Sequence, residues 1–390
     1  MTTTEPAPAP APTWRDPKRR WWLAGLLVPL LPFLGAWLAW RTGWNALWWM
    51  GPIWILLIIP ALDTLWGTDA ANPPDWAVAQ LEADRYYRWC VYLYLPLQYV
   101  GFVWAAGVFV HGGLSPLSQL GLALTVGTVA GVGINTAHEL GHKRERIERR
   151  LSKVALAQSG YGHFYVEHNR GHHANVSTPP DPASARFGES FWAFLPRTVA
   201  GSLRSAWSIA AAAQRRKGRR VWSLGNDVLN AWAVSVVLFG ATIAAFGPAV
   251  VPFIVVQAVF GFSLLEVVNY IEHYGLLRQT LPNGRYERCR PEHSWNSNNM
   301  VSNLLLYHLE RHSDHHANPT RRYQSLRHFD EAPQLPSGYA LMIGLAYVPP
   351  LWRRVMDHRV LAHYGGDVTR ANIHPPRRRQ VLARYPSATG

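Results

Sequence analysis

Seventeen histidines occur in the 390 residues, and nine of them fall into four tight groups. The first group, His138-Glu139-Leu140-Gly141-His142, spaces two imidazoles four residues apart. Side chains at i and i+4 share a helix face, so both rings can address one ion. In the second, His168-Asn169-Arg170-Gly171-His172-His173, His168 and His172 are expected on one face, with His173 about 100° round from His172. The third is Glu272-His273, and the fourth is His312-Ser313-Asp314-His315-His316, whose three rings occupy one broad face. Buried imidazoles need hydrogen-bonding or metal partners, and a shared metal centre accounts for all nine at once. A catalytic zinc takes three protein ligands and a water. Nine imidazoles therefore imply two ions with four or five ligands each. The adjacent pairs His172–His173 and His315–His316 point apart along a helix, so each can serve both ions. Imidazole suits iron, zinc, copper and nickel, and the element stays open at this point.

The elements that must position these residues are apolar. Six uncharged runs span roughly 21–40, 44–62, 89–110, 114–137, 229–246 and 249–265. Each is long enough for a hydrocarbon core of ~30 Å, and backbone in lipid must satisfy itself as helix. Very short connectors around Arg41, His111 and Gly247 join them into three hairpins. Of the 38 Lys and Arg, only Arg41 lies on the side of those connectors. That asymmetry predicts a cytoplasmic location for both termini, for the long segments between the hairpins and for all four histidine groups. The net charge of +14 is thus a membrane-facing and partner-facing surface, and nucleic acid is not expected as a partner. Of the 19 Trp, many lie near the ends of the apolar runs, as interfacial anchors do. The expected fold is an all-α integral membrane protein: six transmembrane helices with a cytoplasmic helical cap holding the metal site. Residues 1–14 are expected as a disordered tail, 15–365 as the catalytic domain and 366–390 as a basic cytoplasmic tail. Residues 339–349 are apolar but too short to span, and are expected at the interface or in the core. Gly127 and Gly131 form a small-xxx-small pair suited to close helix packing.

Two alternatives compete on motif grounds. His138 to His142 also reads as HExxH, the zinc-protease signature, but a membrane protease leaves the second and fourth groups unexplained. A carboxylate di-iron bundle needs two Glu-x-x-His motifs and two further Glu, and only Glu139 to His142 fits. The two cysteines, Cys90 and Cys289, lie far apart and form no CxxC, so an electron carrier must be a separate protein.

Taken together, His138-Glu139-Leu140-Gly141-His142-Lys143, Glu167-His168-Asn169-Arg170-Gly171-His172-His173, Asn269-Tyr270-Ile271-Glu272-His273-Tyr274-Gly275 and Leu309-Glu310-Arg311-His312-Ser313-Asp314-His315-His316-Ala317 resemble the membrane alkane 1-monooxygenases. The last two stretches separate that family from the related fatty-acid desaturases and hydroxylases, which remain the alternative within the same superfamily. The resemblance runs from about residue 15 to beyond 365 and includes Leu62-Asp63 and Tyr323-Gln324-Ser325-Leu326. Glu310 departs from it, standing where Gln is expected. The resemblance implies two non-haem irons ligated by the nine histidines and terminal hydroxylation of medium-chain n-alkanes with O2. It also implies rubredoxin as electron donor, with rubredoxin reductase and NAD(P)H, and a place in the inner membrane. An inert C–H bond requires a redox-active metal, which iron is and zinc is not. A neutral imidazole shell calls for outer carboxylates to accept the second ring N–H; Glu139, Glu167, Glu272, Glu310 and Asp314 are the candidates. Trp54, Ile55 and Ile58 on the second run are the candidate walls of a substrate tunnel.

Overall fold

The computed structural model describes residues 14–386, and the expected tail at 1–14 lies outside this range except for Trp14. Each expected apolar run lies within a long helix: Trp21–Thr42, Asn45–Trp66, Arg85–His111, Pro116–Gly141, Asp227–Phe246 and Pro248–His273. These are the first to sixth spans. Among the described residues the rest of the chain is also helix or loop, with only isolated bridges such as Thr68–Asn299 and Phe187–Ile373.

The fourth and sixth spans form the centre of the bundle. Small residues let them approach closely. A Cβ on Gly131 would lie 3.0 Å from the Leu264 Cβ, and one on Gly261 would lie 2.9 Å from the Ala130 Cβ. The pairing anticipated for Gly127 and Gly131 is therefore real, with Gln257, Phe260, Gly261 and Leu264 as partners. The fourth span starts at Ser115, whose side chain accepts from the Ser118 amide, with Pro116 at the first helical position. Each of these two helices has 26 residues, about 39 Å at 1.5 Å per residue. They are longer than a ~30 Å hydrocarbon layer requires, and both carry histidines in their last turns.

A cap packs on that end. Helix Arg146–Ala157 lies against the fourth span, held by the Ser152 hydroxyl donating to the Ala137 carbonyl at 2.7 Å. The buried helix Tyr339–Ala346 closes one side, so the apolar stretch at 339–349 packs in the core. Residues beyond 365, expected as a tail, are packed where they are described. Val368 and Val381 are buried, and Ile373 bridges to Phe187. The reason is a set of apolar residues spaced through the basic background. Arg311 is almost fully buried, with donor bonds to the carbonyls of Leu326, Asp69 and Ala71. It ties the 69–72 loop to the segment that leads into His312.

Candidate metal centre

Four elements bring the nine histidines together. His138 and His142 come from the end of the fourth span and His273 from the end of the sixth. His312, His315 and His316 sit on the short helix His312–Ala317. His168 and His172 bound a π-helical turn, followed directly by His173. The rings form two groups, with the ligand atoms of each within 4.8 Å of one another. One group is His138, His142, His168, His173 and His315; the other is His172, His273, His312 and His316.

The split follows the adjacent pairs as anticipated, since His172 and His173, and likewise His315 and His316, serve different groups. His168 and His172 were expected on one face, and their rings do stack, 5.2 Å apart; within the groups, His168 stands with His173. The π turn over His168–His172 is the cause, because its i→i+5 repeat aligns residues five apart.

The spacing inside the groups suits metal ligation. His138 Nε2 lies 2.9 Å from His315 Nε2, His173 Nε2 lies 3.0 Å from His315 Nε2, and His316 Nε2 lies 2.8 Å from His312 Nε2. Two nitrogens bound at right angles about 2.1 Å from one ion stand about 3 Å apart. Several inward nitrogens also lack any hydrogen-bond partner, including His142 Nε2, His172 Nε2 and both nitrogens of His273. Burial without a partner is costly, and a metal in each group removes the cost. Burial, helped by the neighbouring rings, holds His142, His168, His173, His312, His315 and His316 well below the ordinary histidine pKa of 6.5. Neutral imidazole is the form a metal needs. His172 differs: burial opposes its charge, but the Asp181 carboxylate together with Glu167 and Glu266 raises its pKa.

The carboxylates sort differently from expectation. Glu272 Oε1 lies 3.2 Å from His312 Nδ1. Glu139 turns instead to Lys143, at 3.0 Å. Asp314 is held by Arg321 at 2.6 Å and by the Arg327 amide at 2.8 Å. Glu310 accepts from the Tyr339 amide at 2.7 Å and from the Asn303 side chain at 3.2 Å, and burial pushes its pKa up to about 8. Glu167 lies over Gly171, and burial, then the Asp181 charge, raises its pKa to about 7. Glu139, Glu167, Glu272 and Asp314 adjoin histidines in sequence, but side chains one residue apart on a helix face different ways. Sequence reasoning missed Asp181, whose Oδ2 lies 2.9 Å from His172 Nδ1. It sits in the loop Thr178-Pro179-Pro180-Asp181-Pro182, where no periodicity marks it.

An apolar cavity leads to the centre. It runs from Val28 and Trp54 past Gly131, Leu264 and Ile343 to His138, His168 and His312, so it meets both groups. Of the three candidate wall residues, Trp54 and Ile55 line this cavity and Ile58 does not, while Ile59 does. A second π turn, at Trp54–Ile58, widens the winding there and shifts the wall by one residue.

A six-span helical bundle with nine histidines gathered at one end of its two central helices defines the class of histidine-rich membrane desaturases and hydroxylases. The family model for fatty acid desaturase matches residues 114–346. Alkane 1-monooxygenase of Acinetobacter baylyi is 50% identical over 335 residues, covering 86% of this chain and 82% of that protein. Alkane 1-monooxygenase 1 of Alcanivorax borkumensis is 46% identical, covering 92% and 89%. Alkane 1-monooxygenase of Ectopseudomonas oleovorans is 44% identical, covering 96% and 94%. The chain belongs to the alkane 1-monooxygenase family.

Proposed function

We propose that this protein hydroxylates the terminal carbon of medium-chain n-alkanes with O2, using two irons held by the nine histidines. The supporting observation is the apolar cavity that ends on both histidine groups. In the balanced reaction, alkane, O2, two electrons and two protons give one 1-alkanol and one water. Two irons bound in the groups would supply the redox chemistry of O2 activation, which no side chain and no zinc ion has. His138, His142, His168, His173 and His315 would hold one iron; His172, His273, His312 and His316 would hold the other.

The chain's own residues bind and orient. Trp54, Ile55, Ile59, Leu264, Leu265 and Val268 line the cavity. This lining excludes water and lays a linear hydrocarbon lengthwise, so its end reaches the histidines first. Such positioning lowers the barrier by fixing which carbon is near. Asp181 stands in hydrogen-bond contact with the outer nitrogen of His172 and keeps that ring turned inward, and Glu272 approaches the outer nitrogen of His312. Electrons are assigned to reduced rubredoxin, recharged by NAD(P)H through rubredoxin reductase, since Cys90 and Cys289 cannot form a carrier site within the chain. The protein is placed in the inner membrane with both termini and the histidine face in the cytoplasm, a reading supported by the distribution of its 38 Lys and Arg.

The test is metal analysis of the purified protein, combined with product detection from octane given rubredoxin, its reductase and NADH. Iron in both groups and 1-octanol are expected, whereas zinc without oxygenated product overturns the reading. A His315→Ala variant separates the protease alternative, because His315 lies outside the HExxH stretch. A protease centred on His138 and His142 would keep its metal, while the present reading requires loss of iron and of hydroxylation.

A further inference from the structure

Helix Arg146–Ala157 has two unlike faces. Its inner face is buried, with Glu148 accepting from Arg322 at 3.0 Å and from the Tyr92 hydroxyl at 2.6 Å. Its outer face carries Arg146, Arg149, Arg150 and Lys153, which share one concave surface with Arg170, Tyr165 and Asp227. Five cations there meet one carboxylate, a surplus of four positive charges. Asp227 is already shared between Lys153 and Arg170, at 2.8 Å from each. Among the described residues, the side chains of Arg146, Arg149 and Arg150 have no carboxylate partner. Like charges crowded in this way repel, and an external anion relieves the repulsion.

Position selects the anion. Asp227 opens the fifth span, so the cluster sits where that helix enters the bilayer. Trp222 and Leu224, just before it, are 77% and 71% exposed, as side chains at headgroup level are. The fifth span is also the least covered by protein, with 22% of its apolar window buried and Val236 and Val237 bare. An uncovered apolar helix beneath an uncompensated basic cluster matches one molecule with two ends. We propose that Arg146, Arg149, Arg150, Lys153 and Arg170 bind the phosphate of an anionic phospholipid whose acyl chains lie along the fifth span.

The test reconstitutes the full-length protein in nanodiscs of phosphatidylcholine with a small fraction of phosphatidylglycerol. Native mass spectrometry then counts the phosphatidylglycerol retained. Each basic residue near a membrane surface contributes about 1 kcal/mol to anionic lipid binding. The double variant Arg149→Gln/Arg150→Gln is therefore expected to weaken retention on the order of 30-fold. Arg378→Gln/Arg379→Gln, which removes the same charge from the exposed C-terminal helix outside this cluster, is expected to retain the lipid. Equal loss in both variants overturns the proposal, because the attraction is then only general surface charge. Inorganic phosphate that competes at millimolar concentration as well as the lipid does also overturns it, by showing a free-anion site. So does an acidic protein that co-purifies with wild type and is released by the double variant while lipid retention is unchanged. Unaltered thermal midpoints in pure phosphatidylcholine confirm that both variants are folded.

Discussion

Asp181 fixes the direction of the His172 ring. It is itself fixed by the Ser184 hydroxyl at 2.6 Å and the Ala183 amide at 3.1 Å. Removing the charge while keeping the shape isolates this role. Asp181→Asn is expected to lower iron affinity or alkane turnover about 10- to 100-fold, the usual effect of losing an outer partner of a metal-bound histidine. Iron per chain measured at limiting iron, with circular dichroism unchanged, checks it; wild-type iron retention and turnover refute it. The ligand candidates were legible because histidine spacing follows helical geometry and buried imidazole is costly. Their outer partners were not, because such a partner is selected in space. Glu139 and Asp314 adjoin histidines yet pair with Lys143 and Arg321, whereas Asp181 acts from a proline-rich loop.

At the scale of elements, the contact between the fourth and sixth spans sets the distance between His138 and His273. A Cβ at Gly131 would meet Leu264 Cβ at 3.0 Å and the Gly261 carbonyl at 3.1 Å. Gly131→Val overpacks this seam, and a destabilisation of about 1–3 kcal/mol is expected. Gly240 on the fifth span is the control, since a Cβ there meets nothing within 4 Å. Thermal midpoints in detergent should fall for the first variant and stay near wild type for the second. The spans and the glycine seam could be read from composition and spacing alone. The two π turns could not, since their sequences look like ordinary helix, and they are why Ile59 rather than Ile58 lines the cavity and why His168 sides with His173. Helix Tyr339–Ala346 receives Glu310 at its first amide, a tertiary contact across 29 positions that no local pattern announces.

For the whole molecule, the separation of charge across the bundle makes a topological statement. Only Arg41 among the 38 Lys and Arg sits by the short connectors. Fusions of a cytoplasm-active reporter at the C-terminus are therefore expected to be active, and fusions in the 111–114 connector inactive, with a periplasm-active reporter giving the reverse. The opposite pattern would move the histidine face to the other side. The architecture was legible at this scale because lipid permits so few solutions, while the packing of residues 368–381 was hidden by their basic neighbours. The division of the adjacent histidines has one further consequence. Two single peptide links, between residues 172 and 173 and between 315 and 316, join the halves of the centre. Neither half is an independent socket: together they form one clamped part, and a strain that pries open one jaw is passed through the backbone to the other.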